Sequence, residues 1–137
     1  MAIVIDASIA MGWLTPSQTT PASNAALVAV RRQPGIVPRH FAFEVARALR
    51  GLERRNLITS ALVDASLVDL RSLRLQQDRL DTFDILPAIV ALARRYTLRV
   101  ADAAYLELAI RSAAPLATRD AKLAKAATEA GATLFMP

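Results

Sequence analysis

The feature that most constrains the fold is an uninterrupted apolar run near the start of the chain, Ile3-Val4-Ile5, which ends at Asp6. A continuous run of branched apolar residues without polar alternation is typical of a strand buried on both faces. Because removing an unpaired carboxylate from water is costly, Asp6 needs a cation, a hydrogen-bond network or a helix N-terminus as its partner. On this segment alone, a capping Asp in a strand-to-helix turn is the simpler interpretation.

Short apolar segments alternate with longer helical patterns along the rest of the chain. Strands are predicted at residues 36–38, 82–86, 115–118 and 132–135, and residues 76–80 are predicted to form a polar link. The predicted helices cover residues 9–14, 22–32, 40–55, 60–75, 87–96, 103–112 and 121–130. This alternation predicts an α/β fold with a short parallel sheet of about five strands, flanked by helices on both faces.

Size and composition indicate one packed unit with an anionic partner. The 137 residues are 54% apolar and contain no long linker or repeat, so a single domain over residues 1–137 is expected. The net charge is +5, and lysine occurs only at Lys122 and Lys125, so arginine supplies nearly all of the positive charge. Arginine suits bidentate phosphate contacts, which favours nucleic acid, although a solvated arginine-rich surface explains the charge almost as well.

The absence of cysteine and the single histidine, His40, exclude several kinds of site. Disulfides, thiolate metal sites, cysteine nucleophiles and histidine-rich zinc sites are all ruled out. Any bound metal must therefore have oxygen ligands, which points to magnesium or manganese.

The N-terminal third is predicted to contain neither a membrane span nor an export signal. Residues 7–30 carry no charge, but the turn-forming residues 16–21 interrupt them well short of a membrane span. No basic segment precedes the first apolar run, which also contains Asp6, so no secretory signal is predicted. The expectation is a cytoplasmic protein without a membrane partner.

The helix predicted over residues 40–55 places Glu44 at the edge of its apolar stripe. Arg47, Arg50 and Arg54 form a neighbouring column on the same helix. Such a row of arginines beside a carboxylate suits contacts with successive phosphates, and an ordinary solvated helix face is an equal alternative.

Four acidic residues occupy positions that a doubly wound sheet brings to one edge. Asp6 and Asp120 follow short strands, Asp102 opens a helix, and Glu44 lies one turn into a helix that follows a strand. Close carboxylates cannot all ionise cheaply, so such a cluster is either partly protonated or neutralised by a divalent cation. A carboxylate-held Mg²⁺ or Mn²⁺ in a basic protein suggests hydrolysis of phosphodiester bonds.

Two hydroxyl residues accompany these acids. Ser8 and Thr118 each lie two residues from an acidic residue, where a hydroxyl can orient a carboxylate or a water molecule. Backbone capping at a strand-to-helix turn is the alternative for both.

Four sequence blocks, in this order, resemble the acidic blocks of a PIN domain. They are Val-Ile-Asp-Ala-Ser at residues 4–8, Phe-Glu-Val-Ala-Arg-Ala-Leu at 43–49, Ala-Asp-Ala-Ala-Tyr-Leu-Glu-Leu-Ala at 101–109 and Leu-Ala-Thr-Arg-Asp at 116–120. In detail the chain is similar to the bacterial VapC toxins of type II toxin-antitoxin systems. The resemblance implies a single PIN-like domain that acts as a Mg²⁺-dependent ribonuclease, leaves a 3′-hydroxyl, forms a homodimer and is silenced by a VapB-type antitoxin.

The resemblance also implies roles for particular residues. Asp6, Glu44, Asp102 and Asp120 match the acidic quartet of the family, and Ser8 and Thr118 match its accompanying hydroxyls. Two positions depart from the family pattern, because Arg47 stands where asparagine is frequent and Ala101 stands where tyrosine is common. Both positions would border the RNA cleft, so the departures bear on substrate preference.

Other interpretations remain open at this point. A PIN-like module that binds nucleic acid or a partner without catalysis is the main alternative. A receiver-like or dehalogenase-like phosphate site is less consistent with the chain, since no second acid adjoins Asp6 and Ser8 occupies the position two residues on. His40 is assigned to a helix start and Tyr105 to a packed helix face. Trp13 and Leu14 suit either the core or a contact with a second copy.

Overall fold

The computed structural model of the chain describes residues 1–136 and shows four strands and seven α-helices. A short 3-10 turn, Pro16–Gln18, follows the first helix. In chain order the elements are β1 (Ile3–Ile5), α1 (Ala7–Leu14), α2 (Pro21–Val30), β2 (Gly35–Val37), α3 (Phe41–Arg54), α4 (Ser60–Ser72), β3 (Gln76–Gln77), α5 (Thr82–Tyr96), α6 (Val100–Ser112), β4 (Leu116–Ala117) and α7 (Ala121–Glu129).

The strands form one parallel sheet in the order β3-β2-β1-β4. Val4 lies opposite Ile36 of β2 and Leu116 of β4, so β1 is an inner strand with a neighbour on each side. All three residues of β1 are fully buried, as the unbroken apolar run predicted. The predicted α/β fold with a parallel sheet is confirmed, with four strands in place of about five.

Several helix boundaries follow local capping rules. Thr20 caps α2 by accepting a hydrogen bond from the Ser23 N–H, and Pro21 occupies the first helical position. Thr59 caps α4 in the same way through the Leu62 N–H. Gly131, just after α7, has a φ of +80°, the left-handed conformation that commonly ends a helix.

The strand predicted at residues 82–86 is wrong, because these residues form the first turn and a half of α5. Asp81 starts the helix early by accepting a hydrogen bond from the Phe83 N–H. Pro87 lies inside the helix, where it removes the hydrogen bond that the Phe83 carbonyl would otherwise accept. The loss of one backbone hydrogen bond so close to the helix start is tolerated. The apolar residues before Pro87 were therefore wrongly assigned to a strand.

Two further predictions of strand positions need correction. Gln76 and Gln77, predicted as a polar link, form the edge strand β3, and its exposed side chains gave no apolar signal. The strand predicted at residues 132–135 is reduced to a single parallel bridge between Leu134 and Leu116. Two backbone hydrogen bonds, from Leu116 to Thr133 and from Phe135 to Leu116, hold this segment beside β4.

Trp13 and Leu14, at the end of α1, both contact the rest of the same chain. The Trp13 indole N–H donates a 2.7 Å hydrogen bond to the Ser23 carbonyl, and Leu14 is buried. These contacts within one copy favour the core interpretation of both residues.

None of the helices in the part of the chain that the structure describes combines the length and apolar character needed to cross a bilayer.

We expect alanine at Gly12 to destabilise the fold. A Cβ atom built on Gly12 lies only 2.6 Å from both Cβ and Oγ of Ser23, so α1 and α2 would have to separate. Overpacking of this kind costs about 1–3 kcal/mol. Urea denaturation of the Gly12→Ala variant measures this loss.

Gly51 provides the matched control for this substitution. It also lies in a helix, but a Cβ atom there meets nothing within 4 Å. Gly51→Ala should therefore stabilise the protein by up to about 1 kcal/mol through helix propensity. Equal effects of the two substitutions would contradict the packing described for α1 and α2.

Candidate active site

The candidate site lies at the carboxyl end of the sheet, between β1 and β4. The chain leaves β1 toward β2 on one side, and β4 returns on the other side. This change of direction is a topological switch point, where open parallel sheets form their ligand crevice. Asp6 follows β1 directly, and Thr118 and Asp120 follow β4.

Asp6 is a buried carboxylate, with 6% of its surface exposed. It occupies the N-cap position of α1, but its side chain makes no capping hydrogen bond. Its Oδ2 atom instead accepts hydrogen bonds from the Ser8 hydroxyl at 2.8 Å and the Thr118 hydroxyl at 2.6 Å. Oδ1 accepts no side-chain hydrogen bond within residues 1–136, so the capping interpretation does not account for this carboxylate.

The two hydroxyls are themselves held in place by the backbone. Ser8 Oγ accepts a hydrogen bond from the Arg119 N–H, and Thr118 Oγ1 accepts one from the Asp120 N–H, each at 3.0 Å. Each hydroxyl proton is therefore directed toward Asp6. The segment after β4 thereby orients the carboxylate that follows β1.

The electrostatic surroundings of Asp6 disfavour its charged form. Burial raises the pKa of Asp6 above its ordinary value, and the hydrogen bonds from Thr118 and Ser8 only partly offset this effect. The charges of Glu44 and Asp102 raise the pKa further. An additional positive charge in this crevice would relieve both effects.

Glu44 is held by two side chains that the sequence analysis did not assign to the site. The Tyr105 hydroxyl donates a 2.6 Å hydrogen bond to Glu44 Oε1, and His40 Nε2 lies 3.3 Å from the same oxygen. Partial burial alone would raise the pKa of Glu44, but the hydrogen bonds from His40 and Tyr105, together with the charges of His40 and Arg99, outweigh it and lower the pKa. Glu44 is therefore kept ionised.

His40 and Tyr105 also connect α3 with α6. His40 Nε2 lies 3.1 Å from the Ala101 carbonyl oxygen, and the His40 and Tyr105 rings pack 5.1 Å apart. Tyr105 is fully buried, and its burial and its hydrogen bond to Glu44 raise its pKa, so the hydroxyl keeps its proton. Sequence spacing offered a signal for both residues, since His40 lies one turn before Glu44 and Tyr105 lies one turn after Asp102.

Asp102 lies in the first turn of α6 and forms an ion pair with Arg99. The guanidinium contacts both carboxylate oxygens, from Nε to Oδ2 at 3.0 Å and from Nη2 to Oδ1 at 3.4 Å. Arg99 is a third residue near the site that sequence reasoning missed, although its position three residues before Asp102 was a usable signal.

Asp120 behaves as a helix cap in this structure. Its Oδ1 atom accepts hydrogen bonds from the N–H groups of Lys122 and Leu123 at the start of α7, at 2.9 and 3.2 Å. One of its carboxylate oxygens is therefore engaged in stabilising the helix.

The predicted acidic residues differ in how closely they approach one another. The charges of Glu44 and Asp102 raise the pKa of Asp6, and the charges of Glu44 and Asp120 raise the pKa of Arg99. Within residues 1–136, however, no three acidic or histidine side chains gather closely enough to form a metal site. The donor set fits Mg²⁺ or Mn²⁺ in its chemistry, since its candidate ligands are carboxylate oxygens and Asp6 among them is buried, and Arg99 contacts both oxygens of Asp102 in this structure.

The arginine column of α3 lies on the surface. Arg47, Arg50 and Arg54 are all exposed. Arg50 forms a 3.4 Å ion pair with Glu53 of the same helix, which leaves Arg47 and Arg54 without an acidic partner in the described part of the chain.

Comparison with known proteins gives one family match and two relatives. The family described as PIN domain matches residues 3–129. The chain is also 35% identical over 124 residues, 90% of its length and 86% of the relative's, to Ribonuclease VapC3 of Mycobacterium tuberculosis strain CDC 1551 / Oshkosh. The protein of the same name from strain ATCC 25618 / H37Rv matches with the same identity and coverage.

We expect Asp6→Asn to stabilise the fold at neutral pH. Because the pKa of Asp6 is raised in the folded protein, its proton contributes stability that is fully present below the unfolded pKa and is lost as the pH rises through the folded pKa. A neutral asparagine avoids this loss and can still accept the hydroxyl hydrogen bonds. Thermal melts in EDTA should show a Tm gain at pH 7 that shrinks toward pH 3.

Asp84→Asn serves as the control for this measurement, since Asp84 is an exposed acid in the first turn of α5. A gain for Asp6→Asn that stays constant or grows toward acid pH would show that Asp6 is not destabilised by its charge.

Proposed function

Because the chain belongs to the PIN-domain family, and within it to the VapC-type ribonucleases, we propose that it is a Mg²⁺-dependent endoribonuclease toxin that hydrolyses RNA phosphodiester bonds and leaves 3′-hydroxyl ends. The observation that supports this most directly is the buried Asp6 carboxylate at the switch point of the sheet. Two hydroxyls orient it, and the charges of Glu44 and Asp102 act on it.

The proposed ligands of the cation are Asp6, Asp102, Glu44 and Asp120, and Mn²⁺ is expected to substitute for Mg²⁺. When bound, the cation would supply Lewis acidity for activating water and for neutralising charge on phosphate oxygens. Ser8 and Thr118 would keep Oδ2 of Asp6 hydrogen-bonded, so that Oδ1 is left for the cation. Preorganisation of this kind avoids rearranging a buried charge during the reaction.

Glu44 is proposed to contribute a permanent negative charge to the same site. The Tyr105 and His40 contacts lower its pKa and direct one of its oxygens toward α6, leaving Oε2 for the cation or for a water molecule. Asp120 is proposed to act through Oδ2, since Oδ1 caps α7.

The RNA is proposed to run along Arg47 and Arg54 of α3, since the third arginine of the predicted column, Arg50, pairs with Glu53. Arg47 and Arg54 have no acidic partner among residues 1–136 and lie on the helix that also provides Glu44. The net charge of +5 would support this binding through release of counterions from the RNA.

Two protein partners are proposed in addition to RNA, namely a VapB-type antitoxin and a second copy of the chain. A groove of about 770 Å³ lies beside α3 and α4. Phe41, Leu67 and Leu70 line it together with Arg71 and Arg74, which suits an apolar segment with acidic residues. The homodimer is proposed from the family alone.

A catalytically inactive PIN-like module that binds nucleic acid or a partner is the second candidate. It is favoured by one observation, the ion pair with Arg99 that occupies both oxygens of Asp102. Under this hypothesis the acids serve the fold and no cation binds.

We expect Asp6→Asn to abolish RNA cleavage while leaving the protein folded. Loss of a ligand to a cation that contributes several kcal/mol to catalysis should lower the rate on the order of 100-fold or more. The measurement is cleavage of a labelled RNA in Mg²⁺, compared with an EDTA control. Asp84→Asn, a change of the same type on an exposed helix face, should cleave at the wild-type rate. Cleavage by Asp6→Asn at the wild-type rate would contradict the catalytic role of Asp6, whereas wild-type protein that cleaves no RNA in Mg²⁺ would support the inactive module.

We also expect Arg47→Ala to weaken RNA binding. Removing one phosphate contact should reduce the slope of log K against log salt concentration by about 0.7, the value for single strands. Fluorescence anisotropy over a KCl series in Ca²⁺ measures this slope. Arg50→Ala is the comparison variant, since Glu53 already neutralises Arg50; an unchanged slope for Arg47→Ala would assign the arginine column to an ordinary solvated surface.

A further inference from the structure

Arg99 lies at the start of α6, but its side chain does not cap the helix. It is the N-cap residue of α6, where Ser, Thr, Asp or Asn would normally accept a hydrogen bond from the first turn. A guanidinium has no acceptor atom and cannot do this. The side chain instead folds over the first turn and grips both oxygens of Asp102.

Arg99 forms an ion pair with one of the acidic residues of the candidate site, Asp102. Within residues 1–136, no other lysine or arginine forms an ion pair with Asp6, Glu44, Asp102 or Asp120. The hydrogen bonds and charge of Asp102 raise the pKa of Arg99, and the more distant charges of Glu44 and Asp120 act in the same direction. The guanidinium therefore lies in the shared negative field of three of the four acids.

The two partners of this ion pair differ in exposure. The Asp102 side chain is 13% exposed, whereas the Arg99 side chain is 75% exposed. Exposed pairs add little to stability, so the guanidinium can leave Asp102 at small cost. The carboxylate would then remain in the crevice while the arginine moves in solvent at its entrance.

We propose that Arg99 neutralises Asp102 in the metal-free protein and becomes a phosphate-contacting residue for RNA when a divalent cation takes its place on Asp102. This inference rests on the proposed function, since it assigns a substrate contact to that site. A cation on Asp102 would repel the guanidinium and remove its partner. The planar fork that grips a carboxylate with two N–H groups matches a phosphate equally well.

If Arg99 and the cation compete for Asp102, Arg99→Ala should change the affinities for Mn²⁺ and for RNA in opposite directions. Without the competing guanidinium, Mn²⁺ should bind tighter by about two- to fivefold, the range expected for an exposed ion pair. RNA should bind more weakly in Ca²⁺, with a salt slope lower by about 0.7. Isothermal titration with Mn²⁺ and anisotropy of a labelled RNA over a KCl series measure the two effects on the full chain.

Two further variants make the test specific. Arg94→Ala removes an exposed arginine of α5 that has no ion pair within residues 1–136, and it should change neither measurement. Arg99→Lys keeps the charge but loses the bidentate fork, so its Mn²⁺ and RNA affinities should lie between those of the wild type and Arg99→Ala. Thermal melts should show that all three variants remain folded.

The inference is overturned if Arg99→Ala binds Mn²⁺ no more tightly than the wild type, or if its RNA salt slope is unchanged. In either case wild-type protein that binds Mn²⁺ and cleaves RNA would leave the proposed function intact. Wild-type protein that binds no Mn²⁺ would overturn the proposed function and the exchange together.

Discussion

The buried carboxylate of Asp6 is the constraint on which the rest of the site depends. Strand β1 is fully buried, so the residue that follows it is taken out of water together with the strand. Desolvation opposes its ionisation, and only two hydroxyl hydrogen bonds compensate for this among the described residues. Such a group costs stability, and an arrangement of this kind is characteristic of sites that bind a ligand or perform chemistry.

The other acids around Asp6 are each stabilised in a different way. Glu44 is stabilised by His40 and Tyr105, Asp102 by Arg99, and Asp120 by the N-terminus of α7. The carboxylates of the crevice therefore differ in their partners. Some are held by contacts within the fold, and Asp102 is held by an exposed guanidinium. The permanent contacts place the acids, and the exposed guanidinium is the contact that a ligand can displace most cheaply.

The elements that could be predicted from the sequence are those with a strong local signal. The buried Ile3-Val4-Ile5 strand, Pro21 at the first position of α2, the cap at Thr59 and the glycine after α7 all follow from short-range rules. The edge strand β3 could not be predicted in this way, because its pairing with β2 depends on a long-range contact and not on its own glutamines. The start of α5 was missed because one capping aspartate overrode an apolar run that is ambiguous between strand and helix.

The candidate site, like the fold, could be predicted only in part from the sequence. The spacing of strands and acids predicted that Asp6 and the residues after β4 would meet at one sheet edge, and the structure places Thr118 within hydrogen-bond distance of Asp6. The spacing of His40, Tyr105 and Arg99 from Glu44 and Asp102 marks these residues as candidates. Their actual contacts depend on how α3 and α6 pack and on rotamers, which the spacing alone does not specify.

The most direct test of the account is a crystal structure of the protein grown with Mn²⁺, with the ion located by its anomalous scattering. The account predicts a peak within ligand distance of Asp6 Oδ1 and of at least one further carboxylate, with Arg99 displaced from Asp102. A crevice in which Asp6 keeps its two hydroxyl partners, Arg99 remains on Asp102 and no anomalous peak appears would contradict it.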